Sequence, residues 1–476
     1  MAALLLALIV QSGPLTEAIE KADPAAVRKA LDALVARDDG GAARAVITGM
    51  TKLRDQIRKL DSALASAHKA LQRYETMPVL TPADHKERKE GIESTRDRIG
   101  KVLRMIVETE NLYDVVRGAF RGFKSEAALA AVGDELERSQ YWLTRCETAE
   151  ALGTMSPEGA EKRLRERLAR EKEPAVVAAL VDALGARTTL EAESLRAVAD
   201  QLAHKTWTVP LVAARALASC GAKEGVKPLI DAMAKADGRL KNELDTALKA
   251  MTKTDMGGDA SAWAEWWTAN GEDFLAGKYN PAKPRRAPGA GRTTFFEMPV
   301  ISRRLVIVVD RSKSMNEVPE KQTKRKIETA RAEIKQLLAS LPDGARVNIV
   351  FFGDTVQSFA GVTRALDAKV RRDASEFVDK AEPDGRTNLY DAWDKALGLV
   401  GSPESGSMRE DGVDTIIIVS DGQPTVGFVT EPDVLVRRFT RENRYLRASV
   451  HTIAVGDVGT MMSKLADLND GTSTQK

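Results

Sequence analysis

The sequence predicts a multidomain chain: an all-α N-terminal part, built of a helical hairpin or coiled coil and then an α-solenoid, followed by a doubly wound, Rossmann-like α/β domain. Three observations carry this. Apolar residues from Val46 to Tyr74 recur alternately four and three apart, which is a coiled-coil seam. Ala-rich helices closed by glycine recur between about Pro157 and Thr254. After Pro299, unbroken β-branched runs alternate with amphipathic helices, the grammar of a parallel sheet covered on both faces. At roughly 150 residues per domain, a chain of 476 residues is too long for one core. The expected division is 1–20 signal or first helix, 21–150 hairpin or coiled-coil region, 151–270 helical repeats, 271–300 linker and 301–476 α/β domain.

Ala2 to Val10 is a short apolar run followed by Gln11, Ser12, Gly13 and Pro14, as at the exit of a secretory signal. No basic residue precedes it, and an ordinary buried first helix is the alternative. Export to a periplasmic or extracellular site is favoured over a cytoplasmic one. No apolar run reaches the roughly 20 residues of a membrane span. Pro78 and Pro82 break the first seam, and a second stripe follows through Ile92, Thr95, Ile99, Val102, Ile106, Thr109 and Tyr113. A connection this short favours an antiparallel hairpin, although a dimer could use the same stripes.

The segments ending at Gly185 and Gly221 each follow an Ala/Leu/Val helix, and Leu240 to Met251 reads as a third copy. They loosely resemble HEAT-type repeats. Trp263, Trp266 and Trp267 read as a cap over the last repeat, and Lys278 to Arg292 as a basic tether rich in proline. Cys146 and Cys220 read as buried thiols with no disulfide framework. Lys and Arg number 71 against 69 Asp and Glu, so no electrostatic case exists for nucleic acid.

In the C-terminal part, strands read at Leu305 to Val309, Val347 to Phe352, Val356 to Phe359, Thr415 to Val419 and Val450 to Val455. Ligands of open α/β sheets collect beyond the carboxyl ends of the strands. There the sequence places Asp310-Arg311-Ser312-Lys313-Ser314 after the first strand and Ser420-Asp421-Gly422 after a later one. Asp384-Gly385-Arg386-Thr387-Asn388 lies between them and opens a helix. Two carboxylates and three hydroxyls, with no thiol or imidazole, are hard oxygen donors. They suit Mg²⁺, with Mn²⁺ or Ca²⁺ as substitutes.

This pattern of Asp-x-Ser-x-Ser, a middle Thr-Asn loop and a strand ending in Ser-Asp-Gly resembles the metal-ion-dependent adhesion site of von Willebrand factor A domains. The resemblance covers roughly Ser302 to the C-terminus. It implies that Asp310, Ser312, Ser314, Thr387 and Asp421 form the metal shell, directly or through water, and that an acidic side chain of a partner protein completes it. Arg311, Lys313 and Arg386 surround the site and would attract such a ligand, or stand as solvated loop charges. Only five residues follow Gly471, so any final edge strand would be truncated or missing.

The expected function is cation-dependent protein binding of the adhesion or scaffold type, without catalysis. Two alternatives stand beside it. One is metal-independent binding through the helical repeats. The other is Mg²⁺-dependent phosphoryl transfer with Asp310 as nucleophile; against it, the chain has no Gly-x-x-x-x-Gly-Lys-Ser/Thr phosphate loop, and His68, His85, His204 and His451 are scattered. Oligomeric state stays open.

Overall fold

A computed structural model of the chain describes residues 13–155, 159–187, 189–281, 293–320, 323–456 and 460–476. The apolar run Ala2–Val10 and most of the basic tether lie outside them. Among the described residues no helix is long and apolar enough to cross a membrane. The chain divides into two compact units, Met1–Leu164 and Arg165–Lys476.

The first unit holds α1 (Pro14–Glu20), α2 (Pro24–Arg37), α3 (Gly40–Glu75), α4 (Pro82–Gly118), α5 (Glu126–Arg138) and α6 (Trp142–Thr154). Local chemistry sets the helix starts. Asp23 and Asp39 accept backbone N–H bonds ahead of α2 and α3, and Thr81 with Asp84 makes a capping box before α4. The 36 residues of α3 span about 54 Å at the α-helical rise. Its stripe of Val46, Met50, Leu53, Ile57 and Leu64 is buried, as are Ile99, Val102, Leu103 and Ile106 of α4, which packs along it. Near the turn a Cβ on Gly91 would come within 2.4 Å of the Tyr74 ring, so glycine lets the two helices close on each other. The two stripes therefore meet within one chain, as an antiparallel hairpin.

In the second unit the helices are α8 (Pro174–Gly185), α9 (Ala192–Asp200), α10 (Thr208–Cys220), α11 (Val226–Met233), α12 (Gly238–Thr252) and α13 (Ala260–Leu275), with α7 (Gly159–Leu168) at the junction of the units. The two glycine-closed segments of the sequence are α8 and α10, which pack together, and α12 packs on α10 in turn. Gly185 meets Ala216 closely: a Cβ on the glycine would lie 2.5 Å from the Ala216 side chain. Trp263 and Trp266 are buried, and Trp266 stacks edge-on against Phe274 and Tyr279. Trp267 is only half-buried. Neither cysteine forms a disulfide; Cys146 is buried, but Cys220, at the last turn of α10, is half-buried rather than enclosed.

The linker read over residues 271–300 is shorter at both ends. Helix α13 runs on to Leu275, and β1 (Thr294–Phe295) pairs antiparallel with β2 (Met298–Pro299). The physical reason is burial: Phe295, Phe296 and Met298 belong to the core beneath the sheet, so this hairpin is part of the α/β fold.

That fold comprises β3 (Arg304–Asp310), β4 (Arg346–Phe352), β5 (Val356–Ser358), β6 (Arg364–Ala365), β7 (Thr415–Ser420), β8 (Ser449–Ala454) and β9 (Ser473–Gln475). Between them lie α14 (Lys326–Ser340), α15 (Ala368–Asp379), α16 (Leu389–Leu397), α17 (Pro432–Asn443) and α18 (Met461–Asp467). The strands are ordered β5, β4, β3, β7, β8, β9, with β6 also on β4. Pairings from β4 through β9 are parallel, and β5 and β6 add antiparallel edges to β4. Three of the five residues after Gly471, Ser473–Gln475, make a final short strand. Leu305, Ile307 and Val309 join Ile327, Ile334 and Leu337 of α14 in one core layer. On the sheet's other face α16 packs against β3 and β4, and its Trp393 stacks on Phe439 of α17 at 4.2 Å.

From β3 the chain winds one way to β4, then crosses back to β7 on β3's other side. The carboxyl ends of β3 and β7 therefore flank the topological switch point, where open α/β sheets hold ligands. At the opposite end of the sheet, Arg239 of α12 donates from Nη1 to the carbonyls of Asp414 and Arg447, both at 2.8 Å. This ties the helical layer to the bases of β7 and β8.

Replacing Gly185 by valine should force α8 and α10 apart. Overpacking of this kind costs about 1 to 3 kcal/mol, and a thermal melt of the full chain should show a loss of several degrees.

Candidate metal centre

Register brings the first carboxylate into place. Val309 pairs with Val419, so the next residues, Asp310 and Ser420, end neighbouring strands side by side. Asp310 is fully buried. One of its oxygens accepts the Ser312 N–H at 2.7 Å and the other accepts the Ser420 hydroxyl at 2.6 Å. Burial pushes its carboxyl up to about 6, against the pull of those hydrogen bonds, with Asp421 adding to the rise.

From Asp310 the donors run in a chain. The Ser312 and Ser314 hydroxyls are 3.0 Å apart, and the Ser314 hydroxyl donates to Asp421 Oδ1 at 2.8 Å. Four of the five sequence-derived candidates are thus joined by direct hydrogen bonds or by the turn that contains them. Thr387 sits on the third loop, buried, with its hydroxyl 4.0 Å from the point a Cβ on Gly422 would occupy. It makes no direct hydrogen bond to the other four among those described, yet backbone bonds tie its loop to both neighbours. Asp384 N–H donates to Arg311 O at 2.7 Å and Lys313 N–H to Gly385 O at 3.1 Å. On the other side Thr425 N–H donates to Thr387 O at 2.9 Å, and Thr387 N–H to Thr425 Oγ1 at 3.0 Å.

Gly385 adopts φ +76°, and a Cβ on it would press within 2.8 Å of Asp354; the turn before Thr387 needs glycine for both reasons. Asn388 then caps α16 by accepting the Asp391 N–H. Among the described residues no group of three or more His, Cys, Asp or Glu side chains is placed to hold a metal. The candidate donor set has two carboxylates with hydroxyls, a composition that fits a hard divalent cation keeping some water.

Two of the three basic residues that the sequence places around this edge, Arg311 and Arg386, have other partners. Arg386 pairs with Asp354 at 2.8 Å, which holds the Asp354 carboxyl below its usual range. Arg311 reaches the Glu382 carbonyl and Thr355. The cation that does enter the site is one the sequence reading missed: Lys326, whose ammonium lies 2.8 Å from Asp421 Oδ2 and 2.8 Å from Glu317 Oε2. Burial alone would lower its pKa, but the hydrogen bonds it donates to Asp421 and Glu317 outweigh that and hold the lysine above its usual value. A signal existed in the sequence. Lys326 opens α14, where the helix dipole disfavours a cation, so something outside the helix must hold it there. Ser420, which the sequence motif includes but the expected ligand set does not, donates its hydroxyl to Asp310.

Residues 305–423 match the family described as von Willebrand factor type A domain, a span that includes all five candidate ligands. Among curated proteins, the chain is similar to inter-alpha-trypsin inhibitor heavy chain H2. Against the Mus musculus protein it is 29% identical over 128 residues, covering 27% of this chain and 13% of the relative. Against the Homo sapiens protein the figures are 25% over 174 residues, 36% and 17%. The chain thus spans less than a fifth of the length of these relatives. Among solved structures it is similar to von Willebrand factor type A from Catenulispora acidiphila, at 21% identity, covering 37% of this chain and 39% of that one, with TM-score 0.30. It is also similar to proximal thread matrix protein 1 from the mussel byssus, at 17% identity, covering 36% and 42%, with TM-score 0.28.

Because the Asp310 carboxyl is raised from 3.8 to about 6, the folded state holds a proton that the unfolded state has released across that interval. Stability from this group therefore falls as pH rises from about 4 to 6. At roughly 1.4 kcal/mol per unit the full loss is about 3 kcal/mol. In EDTA at pH 7, urea denaturation should show Asp310→Asn to be more stable than wild type, by up to this amount, with the gap closing below pH 4. His451 has the opposite sign: burial lowers its pKa to about 4, so its share of stability is lost as pH falls from 6.5 towards 4. His451→Gln should flatten that limb of the same pH series.

Proposed function

We propose that this chain, which carries a von Willebrand factor type A domain at residues 305–423, binds a partner protein through a divalent cation held by Asp310, Ser312, Ser314, Thr387 and Asp421. Mg²⁺ is the ion the donor set suits best, with Mn²⁺ or Ca²⁺ as substitutes. The observation that carries the reading is the hydrogen-bonded chain from Asp310 through Ser312 and Ser314 to Asp421 at the switch point. Oxygens from two strand ends lie within bonding distance of one another. When bound, the ion would supply a Lewis-acidic position that accepts a carboxylate from outside.

The chain's own residues do the rest. Ser420 and the Ser312 N–H orient the Asp310 carboxylate, and burial excludes bulk water from it. The 384–388 loop, knitted by backbone bonds to both neighbours, brings Thr387 to the same edge. With two carboxylates, one of them paired to Lys326, the site leaves a divalent ion with positive charge to spare, and the complementary partner group is acidic. This is a binding role rather than a catalytic one. We read α8, α10 and α12 as HEAT-like repeats that give the chain a second surface.

A pull-down with the full chain as bait should recover its partner in Mg²⁺ and lose it in EDTA. Asp310→Ala and Asp421→Ala should each reduce that Mg²⁺-dependent capture at least tenfold while far-UV circular dichroism stays unchanged. Capture that is equal with and without chelator would remove the ion from the mechanism.

A further inference from the structure

Lys326 has no role in the reading above beyond pairing with Asp421, and its surroundings give it one. The two oxygens of Asp421 are divided between different neighbours: Oδ1 accepts the Ser314 hydroxyl on the donor chain, and Oδ2 accepts the Lys326 ammonium, each at 2.8 Å. The Asp421 side chain has no exposed surface and that of Lys326 is 11% exposed, so this pair is shielded from solvent screening. Glu317, the lysine's other partner, is 68% exposed and offsets far less of its charge. Gly456 lines this pair at contact distance, the place of its Cβ lying 3.9 Å from Nζ and 3.8 Å from Asp421 Cβ.

Charge counting gives the consequence. Asp310 and Asp421 bring two negative charges to the site, and Lys326 removes one. A divalent ion held there keeps about one net positive charge, whereas without the lysine it would be neutralised. We propose that Lys326 is a positioning residue that fixes Asp421 and cancels half of the site's carboxylate charge, loosening the hold on the bare ion while reserving positive charge for an acidic ligand. This rests on the metal-binding reading of the same five residues. The lysine also occupies the first turn of α14 against the helix dipole, so the helix gains nothing from its charge.

Isothermal titration of the full chain with Mg²⁺, and separately with Mn²⁺, compares wild type with Lys326→Met and Lys326→Arg, with thermal melts reporting the fold. Removing a buried like charge beside the ion should tighten binding by Lys326→Met at least about tenfold, while Lys326→Arg stays within about twofold of wild type. Should the methionine variant melt early, Lys326→Gln carries the same comparison. Binding by wild type that is unchanged or weakened in the folded, uncharged variant overturns the role given to Lys326 and leaves the metal site standing. Failure of wild type and variant alike to take up either ion overturns the metal site, and the inference with it.

Discussion

The C-terminal domain depends on the placing of a fully buried carboxylate at the junction of two parallel strands. Asp310 stands where β3 stops, and the register with β7 sets Ser420 beside it. A buried carboxylate is tolerable only if its oxygens are satisfied, and here both are, by one backbone N–H and one hydroxyl. Burial outweighs those two hydrogen bonds and holds the carboxyl above its usual range. The neighbouring hydroxyls of Ser312 and Ser314 link this carboxylate's turn to the second carboxylate, Asp421.

Everything around Asp310 limits how far the site can relax. β3 is flanked by β4 and β7, and its side chains fill core layers that include Ile334 and Leu337. Above the strand ends, the 384–388 loop bonds through main-chain groups to the loops on either side, and those two are joined to each other by the Ser314 hydroxyl on Asp421. Site geometry is thus a property of the sheet. The same rigidity explains why Lys326 can sit against Asp421 despite the helix dipole: the helix start is fixed by packing of Ile327 and Ile334, and the ammonium finds its compensation across the gap.

The other end of the sheet is fastened differently. Arg239, almost fully buried, bonds to two backbone carbonyls at the bases of β7 and β8, and its guanidinium lies over the Trp207 ring. Arg447 adds an ion pair to Asp182 of α8. The helical layer of the second unit therefore grips the strands at the end away from the donor loops. The sheet is thus anchored at the end opposite the donor loops.

By itself the sequence determined the parts whose signal is local. The four-three stripes gave the long hairpin helices because a helix face repeats every few residues, and β-branched runs gave β3, β4, β7 and β8 because strands buried on both faces carry apolar side chains throughout. The candidate set of Asp310, Ser312, Ser314, Thr387 and Asp421 stood out because its motifs follow strands or open a helix in an order that resembles a known family's. Only the tertiary structure decided what lies across space: that Ser420 serves Asp310, that Thr387 approaches the Asp421 loop, that Phe295 and Phe296 turn a presumed linker into core, and that Arg239 grips the sheet. Lys326 is the clearest case. It lies 95 positions from Asp421 in the chain, and no periodicity or spacing encodes a contact made only when β7 comes to rest beside β3.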